Sequence, residues 1–159
     1  MMRMYRDTRF SKDKTPLKTG IAAHFLCADG PEGANPGFYL HLEPGESGLG
    51  SGIWRPEPGA LGKIRDAIAA DPKGWKKAAA SREFKTGCGM MGESLKRPPT
   101  GFDPTHPAIE DIKRKDFAIS NPLTDREVLG TGFIDLIVER FVDHASFVRF
   151  LADAVGADF

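Results

Sequence analysis

The chain has 159 residues, of which 40% are hydrophobic and 28% charged, and its 22 Lys and Arg balance its 22 Asp and Glu. This length and composition predict one globular domain with its own core and argue against disorder. Cys27 and Cys88 form no Cys-x-x-Cys pair, which argues against a zinc ribbon and a disulfide framework. No apolar run reaches the roughly 20 residues that span a bilayer, which argues against a membrane protein. Together these features favour the cytoplasm.

The first half of the chain has the pattern of β-strands. Strands are predicted at residues 3–6, 20–27, 36–43 and 49–54, with a polar loop at 28–37. In the third of these, Phe38, Leu40 and Leu42 alternate with polar residues, so one face of the strand is apolar and the other polar. The last two strands form a hairpin, and Trp54 at its end is interpreted as lying at the edge of the core.

The second half of the chain has the pattern of helices. A helix is predicted to begin near Pro58 and to end at Asp71, and residues 124–127 form a capping box. Shorter elements are a helix at 75–81, an irregular crossing at 86–107, a helix at 108–113 and a strand at 116–120. Apolar residues recur three, four and seven apart between about 132 and 154, which indicates a long amphipathic helix.

These elements together predict an α+β domain that comprises residues 1–159. We expect an antiparallel, twisted sheet of four or five strands with helices on one face. The long C-terminal helix should be the main covering element, packed across the sheet.

Three motifs resemble one known family. They are YRDTRFSKDKTPLKT at residues 5–19, YLHLEPGES at 39–47 and LKRPPTGFD at 95–103, the last followed by His106 and Pro107. Together they resemble the uncharacterised bacterial and fungal family called domain of unknown function 2461, over nearly the whole chain. The resemblance implies membership of this family, but it implies no activity, because the family has no agreed activity. It also implies a helical region before the first motif. We expect that region to be missing here and the sheet or the last helix to expose an apolar strip in its place.

Positive charge is concentrated in two separate blocks. Residues 1–20 hold six Lys or Arg against two Asp or Glu, and residues 73–102 hold seven against two. The candidate residues for binding a phosphate or carboxylate group are Arg6, Arg9, Lys12, Lys14, Lys18 and Arg97. Arg supplies paired planar donors and Lys a mobile point charge, the mixture that anion recognition uses. The alternative is that each basic block docks on one of the two acidic blocks of the chain.

The polar face of the 36–43 strand carries the candidate acid–base residues. His41 and Glu43 lie two residues apart, so both side chains point to the same face, where His24 from the preceding strand is expected to join them. Their spacing matches no metal motif, and no cofactor is predicted.

Three classes of function remain open from the sequence. The first is a site for a small anionic molecule, with or without catalysis. The second is nucleic-acid binding, which the basic blocks favour and the zero net charge does not. The third is an interaction module or homodimer that covers an exposed apolar strip.

Overall fold

The computed structural model describes residues 19–30, 35–80 and 89–159. Its strands are β1 (Ile21–Leu26), β2 (Gly37–Leu42), β3 (Gly48–Ile53), β4 (Gly89–Met91) and β5 (Phe117–Pro122). Its helices are α1 (Pro58–Ala70), α2 (Pro72–Ala78), α3 (Ile109–Ile112), α4 (Asp125–Val128) and α5 (Phe133–Val155).

The five strands form one antiparallel sheet in the order β1-β2-β3-β5-β4. This confirms the predicted α+β architecture with its antiparallel sheet, the hairpin of β2 and β3, and a long C-terminal helix packed on the sheet. The strand predicted at 3–6 lies outside the described residues. In the described residues β1 and β4 are the two edges of the sheet.

One predicted helix boundary was wrong, and one strand was not predicted. Helix α2 begins at Pro72 and not at residue 75, because the Asp71 side chain caps it by accepting a 2.8 Å hydrogen bond from the Gly74 amide. The crossing at 86–107 contains a strand, β4, because Met90 pairs with Ile119 of β5. Pairing with a neighbouring strand has overridden the local signal of the surrounding glycines.

The core lies between the sheet and the helices. Trp75 of α2 packs edge-on against Phe117 of β5, and the buried face of α5 contributes Phe147 and Leu151. Helix α5 ends at Val155 and is capped by Gly156, which adopts the left-handed conformation with φ of +82°. None of the helices in the described part of the chain combines the length and apolar character that a bilayer crossing requires.

The outer side of α5 exposes a row of apolar side chains. Ile134, Val138 and Val142 recur every four residues and are 68%, 55% and 67% exposed. Phe25 on the edge strand β1 is also exposed, and its ring centroid lies 6.1 Å from that of Phe141 on α5. We call Ile134, Val138, Val142 and Phe25 the α5 strip.

Candidate functional site

The polar face of the sheet, which we call the open face, points away from α5. Because residues opposite each other on neighbouring strands share a face, the register His24–Tyr39–Gly50–Ser120 runs across it. His41 lies two residues beyond Tyr39 on the same face, as the alternation predicted.

Glu43 is held in position by the turn that follows β2. Its amide donates to the Ser47 hydroxyl at 3.0 Å, and that hydroxyl donates back to the Glu43 carbonyl at 2.9 Å. Ser47 is buried, and Gly45 within the turn has a φ of +77° that favours glycine. The turn therefore fixes the backbone from which the carboxylate projects.

Four side chains form a continuous polar chain along this end of the open face. His41 Nε2 lies 3.1 Å from Glu43 Oε2, and Tyr39 Oη lies 3.5 Å from His41 Nδ1. The Thr19 hydroxyl donates to the other carboxylate oxygen of Glu43. With the His41 proton on Nε2, the imidazole donates to Glu43 and leaves Nδ1 to accept from Tyr39, so one tautomer satisfies both contacts.

Hydrogen bonding also favours the ionised form of the Glu43 carboxylate. The bond from Thr19, and after it the bond from His41, holds the pKa of Glu43 below its ordinary value. Both donors favour the ionised form, so the carboxylate keeps its charge to a lower pH than a free glutamate side chain would. The Glu43 carboxylate is therefore a hydrogen-bond acceptor that orients the His41 imidazole at neutral pH.

The polar chain adjoins a cavity of about 610 Å³ on the open face. His24 stands edge-on to the Tyr39 ring, with centroids 4.6 Å apart, and both line the cavity. Trp54 and Met91 line it as well, together with glycines of β2 and β3. A largely apolar hollow with a few polar groups at its margin is the usual form of a small-molecule site.

The predicted basic residues divide between two parts of the chain. Arg6, Arg9, Lys12, Lys14 and Lys18 lie outside the described residues. Arg97 is exposed and lies toward the far end of the sheet from His41. His41 pairs with Gly48 where β5 finishes, whereas Ser94, which closely precedes Arg97, pairs with Arg114 before β5 begins. The described residues thus bring His41 and Glu43 together and leave Arg97 apart from them.

Trp54 is the site residue that the sequence reasoning missed. It was interpreted as the edge of the core, but it is 50% exposed and lines the cavity. Its position could have been found by alternation, because Gly48, Gly50 and Gly52 put residue 54 on the open face.

The family relationship rests on a match along most of the sequence. Residues 1–150 match the family described as conserved hypothetical protein, DUF2461. The chain belongs to the DUF2461 family. No curated protein and no solved structure matches the chain.

Proposed function

We propose that this DUF2461 protein binds a small molecule with a phosphate or carboxylate group at the His41 end of the open face and exchanges a proton with it there. Arg9 and Lys12 hold the anion, with Arg6, Lys14 and Lys18 adding positive charge. His41 moves the proton, and Glu43 keeps its imidazole oriented. Arg97 is left out of the site because of its distance along the sheet.

The observation that best supports this proposal is the contact between Thr19 and Glu43. Thr19 is the first described residue after the basic segment, and its hydroxyl donates to the carboxylate that pairs with His41. Lys18, the last residue of the basic segment, is therefore bonded directly to a residue that contacts the His–Glu pair. A carboxylate next to an anion is repulsive, so an anion site here needs cations, and that segment is the nearest source of them in sequence.

We expect the double change Arg9→Gln and Lys12→Gln to weaken binding of inorganic phosphate or acetate at least tenfold. A hydrogen bond between a charged side chain and an anion contributes about 1.5–3 kcal/mol, and tenfold in affinity is about 1.4 kcal/mol. Isothermal titration calorimetry at low ionic strength measures the affinities. The matched control changes Lys73 and Lys76 to Gln on α2 and removes the same net charge at a distance from the open face.

An equal loss in the control would mean that net charge and not a site attracts the anion. If neither anion binds but a single-stranded oligonucleotide does, with affinity falling steeply as salt rises, the nucleic-acid alternative replaces the proposal.

The α5 strip favours a second candidate function, an interface with a second copy of this chain. Its apolar residues are contiguous with the edge strand β1, and exposed apolar strips of this kind are unusual on isolated monomers. Asp135 and Glu139 are exposed beside it on α5, so two strips brought together place like charges close to each other. Salt screens that repulsion, and association should therefore tighten as salt is raised.

Sedimentation velocity at increasing protein concentration should show a dimer that Val138→Glu converts to a monomer. The reason is that a carboxylate buried in an apolar interface loses its hydration without gaining a partner. Thr100→Glu introduces the same charge at an exposed loop position and should leave the dimer intact. A wild-type chain that remains monomeric at high concentration and high salt would rule this interface out.

A further inference from the structure

The cavity on the open face has a floor made of backbone. Gly50 lies at the centre of β3 between Tyr39 on β2 and Ser120 on β5, so no side chain rises from the middle strand at this point. Side chains rise on both sides, with Tyr39 toward one edge of the sheet and Met91 toward the other. The result is a trough of about 610 Å³, within the size range of small-molecule sites.

Packing requires glycine less strictly at position 50 than at positions 37 and 52. A Cβ at Gly37 or Gly52 would come within 2.3 or 2.1 Å of a neighbouring carbonyl oxygen, so the sheet itself requires those two glycines. A Cβ at Gly50 would meet Tyr39 Cβ at 3.3 Å, so the conflict there is a few tenths of an ångström and involves no backbone atom at that distance. Glycine in the interior of a strand weakens the strand, and it often marks a place where another group approaches the backbone closely.

The far wall of the trough is held by a strained turn. Arg55 has a φ of +51°, rare for a residue with a side chain, and its amide donates at 3.1 Å to the carboxylate of Asp116. Asp116 is buried and also accepts from the Glu93 amide at 3.1 Å. These bonds fix the backbone next to Trp54, whose ring is half exposed at the trough and has the Arg55 guanidinium 5.8 Å from its centroid. Strain of this kind is concentrated at functional sites.

We propose that the trough binds a planar aromatic or heteroaromatic ring that carries a negatively charged group, with the ring lying on the Gly50 backbone between Tyr39 and Trp54. Aromatic walls and a flat floor without side chains suit a ring better than a bulky saturated group. The Met91 thioether adds a polarisable contact. The negative group extends past Tyr39 toward His41, and this part of the inference rests on the proposed function.

The test compares three probes of nearly the same size by isothermal titration calorimetry on the full chain. They are 2-naphthoate, its fully saturated decahydro analogue and the neutral 2-naphthamide. We expect the wild type to bind 2-naphthoate at least fivefold more tightly than the saturated acid. Trp54→Leu should abolish that preference, and Gly50→Val, which fills the floor, should weaken 2-naphthoate at least tenfold. Leu129→Ala, at an exposed position after α4, is the control and should change neither value.

Thermal denaturation followed by circular dichroism reports whether each variant is folded. Equal affinity for the aromatic and saturated acids, an unchanged preference in folded Trp54→Leu, or no binding of any probe would each overturn the ring site. If 2-naphthamide binds as tightly as 2-naphthoate while the aromatic preference persists, the ring site stands and the anion site of the proposed function fails. The two ideas can therefore fail separately.

Discussion

Replacing Gly52 by alanine is expected to destabilise the fold by about 3 kcal/mol or more, the sum of backbone strain and overpacking. Gly52 has a φ of +110°, which residues with a side chain rarely adopt. A Cβ there would lie 2.1 Å from the Phe117 carbonyl oxygen and 2.7 Å from a ring carbon of Phe147. Neither neighbour can withdraw, because one is the backbone of β5 and the other is fully buried in the core. Urea denaturation followed by circular dichroism measures the change.

Two other glycines separate the causes of that loss. Gly48→Ala lies on the same strand, and its Cβ would come no closer than 3.4 Å to another group, so we expect a change within about 0.5 kcal/mol. Gly45→Ala keeps a positive φ of +77° with nothing within 4 Å, so it isolates the cost of strain, about 1–2 kcal/mol. If Gly52→Ala costs no more than Gly45→Ala, the close approach of β3 to β5 is not what requires the glycine.

The strength of each local signal explains which elements the sequence predicted. Strand β2 was predictable because Phe38 and Leu40 alternate with Tyr39 and His41 over its whole length. Helix α5 was predictable because its apolar residues repeat over 23 residues. Strand β4 has three residues, one of them glycine, and exists because β5 lies beside it. No local pattern carries that information, since the partner is distant in the chain.

The candidate site was predictable to the extent that it lies on one strand. Alternation put His41 and Glu43 on one face, and they lie 3.1 Å apart there. The trough depends instead on the register of the strands, which sets Gly50 beside Tyr39 and Gly52 beside Ala118. A hollow formed by missing side chains on several strands leaves no motif along the sequence. The same alternation, had it been extended from β3 to residue 54, would have put Trp54 on the open face.

Both tryptophans lie next to the same sheet, yet their replacement by alanine should change the free energy of unfolding by very different amounts. Trp75 is 1% exposed, and its ring centroid lies 5.7 Å from those of Phe117 and Phe147 and 5.3 Å from that of Phe150. Trp75→Ala leaves a cavity among these rings and should cost about 3–5 kcal/mol, which lowers the melting temperature by about 10 °C.

Trp54→Ala should change the free energy of unfolding by less than about 1 kcal/mol, because half of that side chain already faces solvent. Thermal denaturation of both variants, followed by circular dichroism, tests the contrast. A large loss of stability in Trp54→Ala would mean that the ring supports the fold, and its exposure at the trough would then need no ligand to explain it. A small loss leaves a half-exposed apolar ring that has the Arg55 guanidinium over one face, 5.8 Å from its centroid, and does not serve the core. That is the state expected of a side chain whose packing partner is a bound molecule.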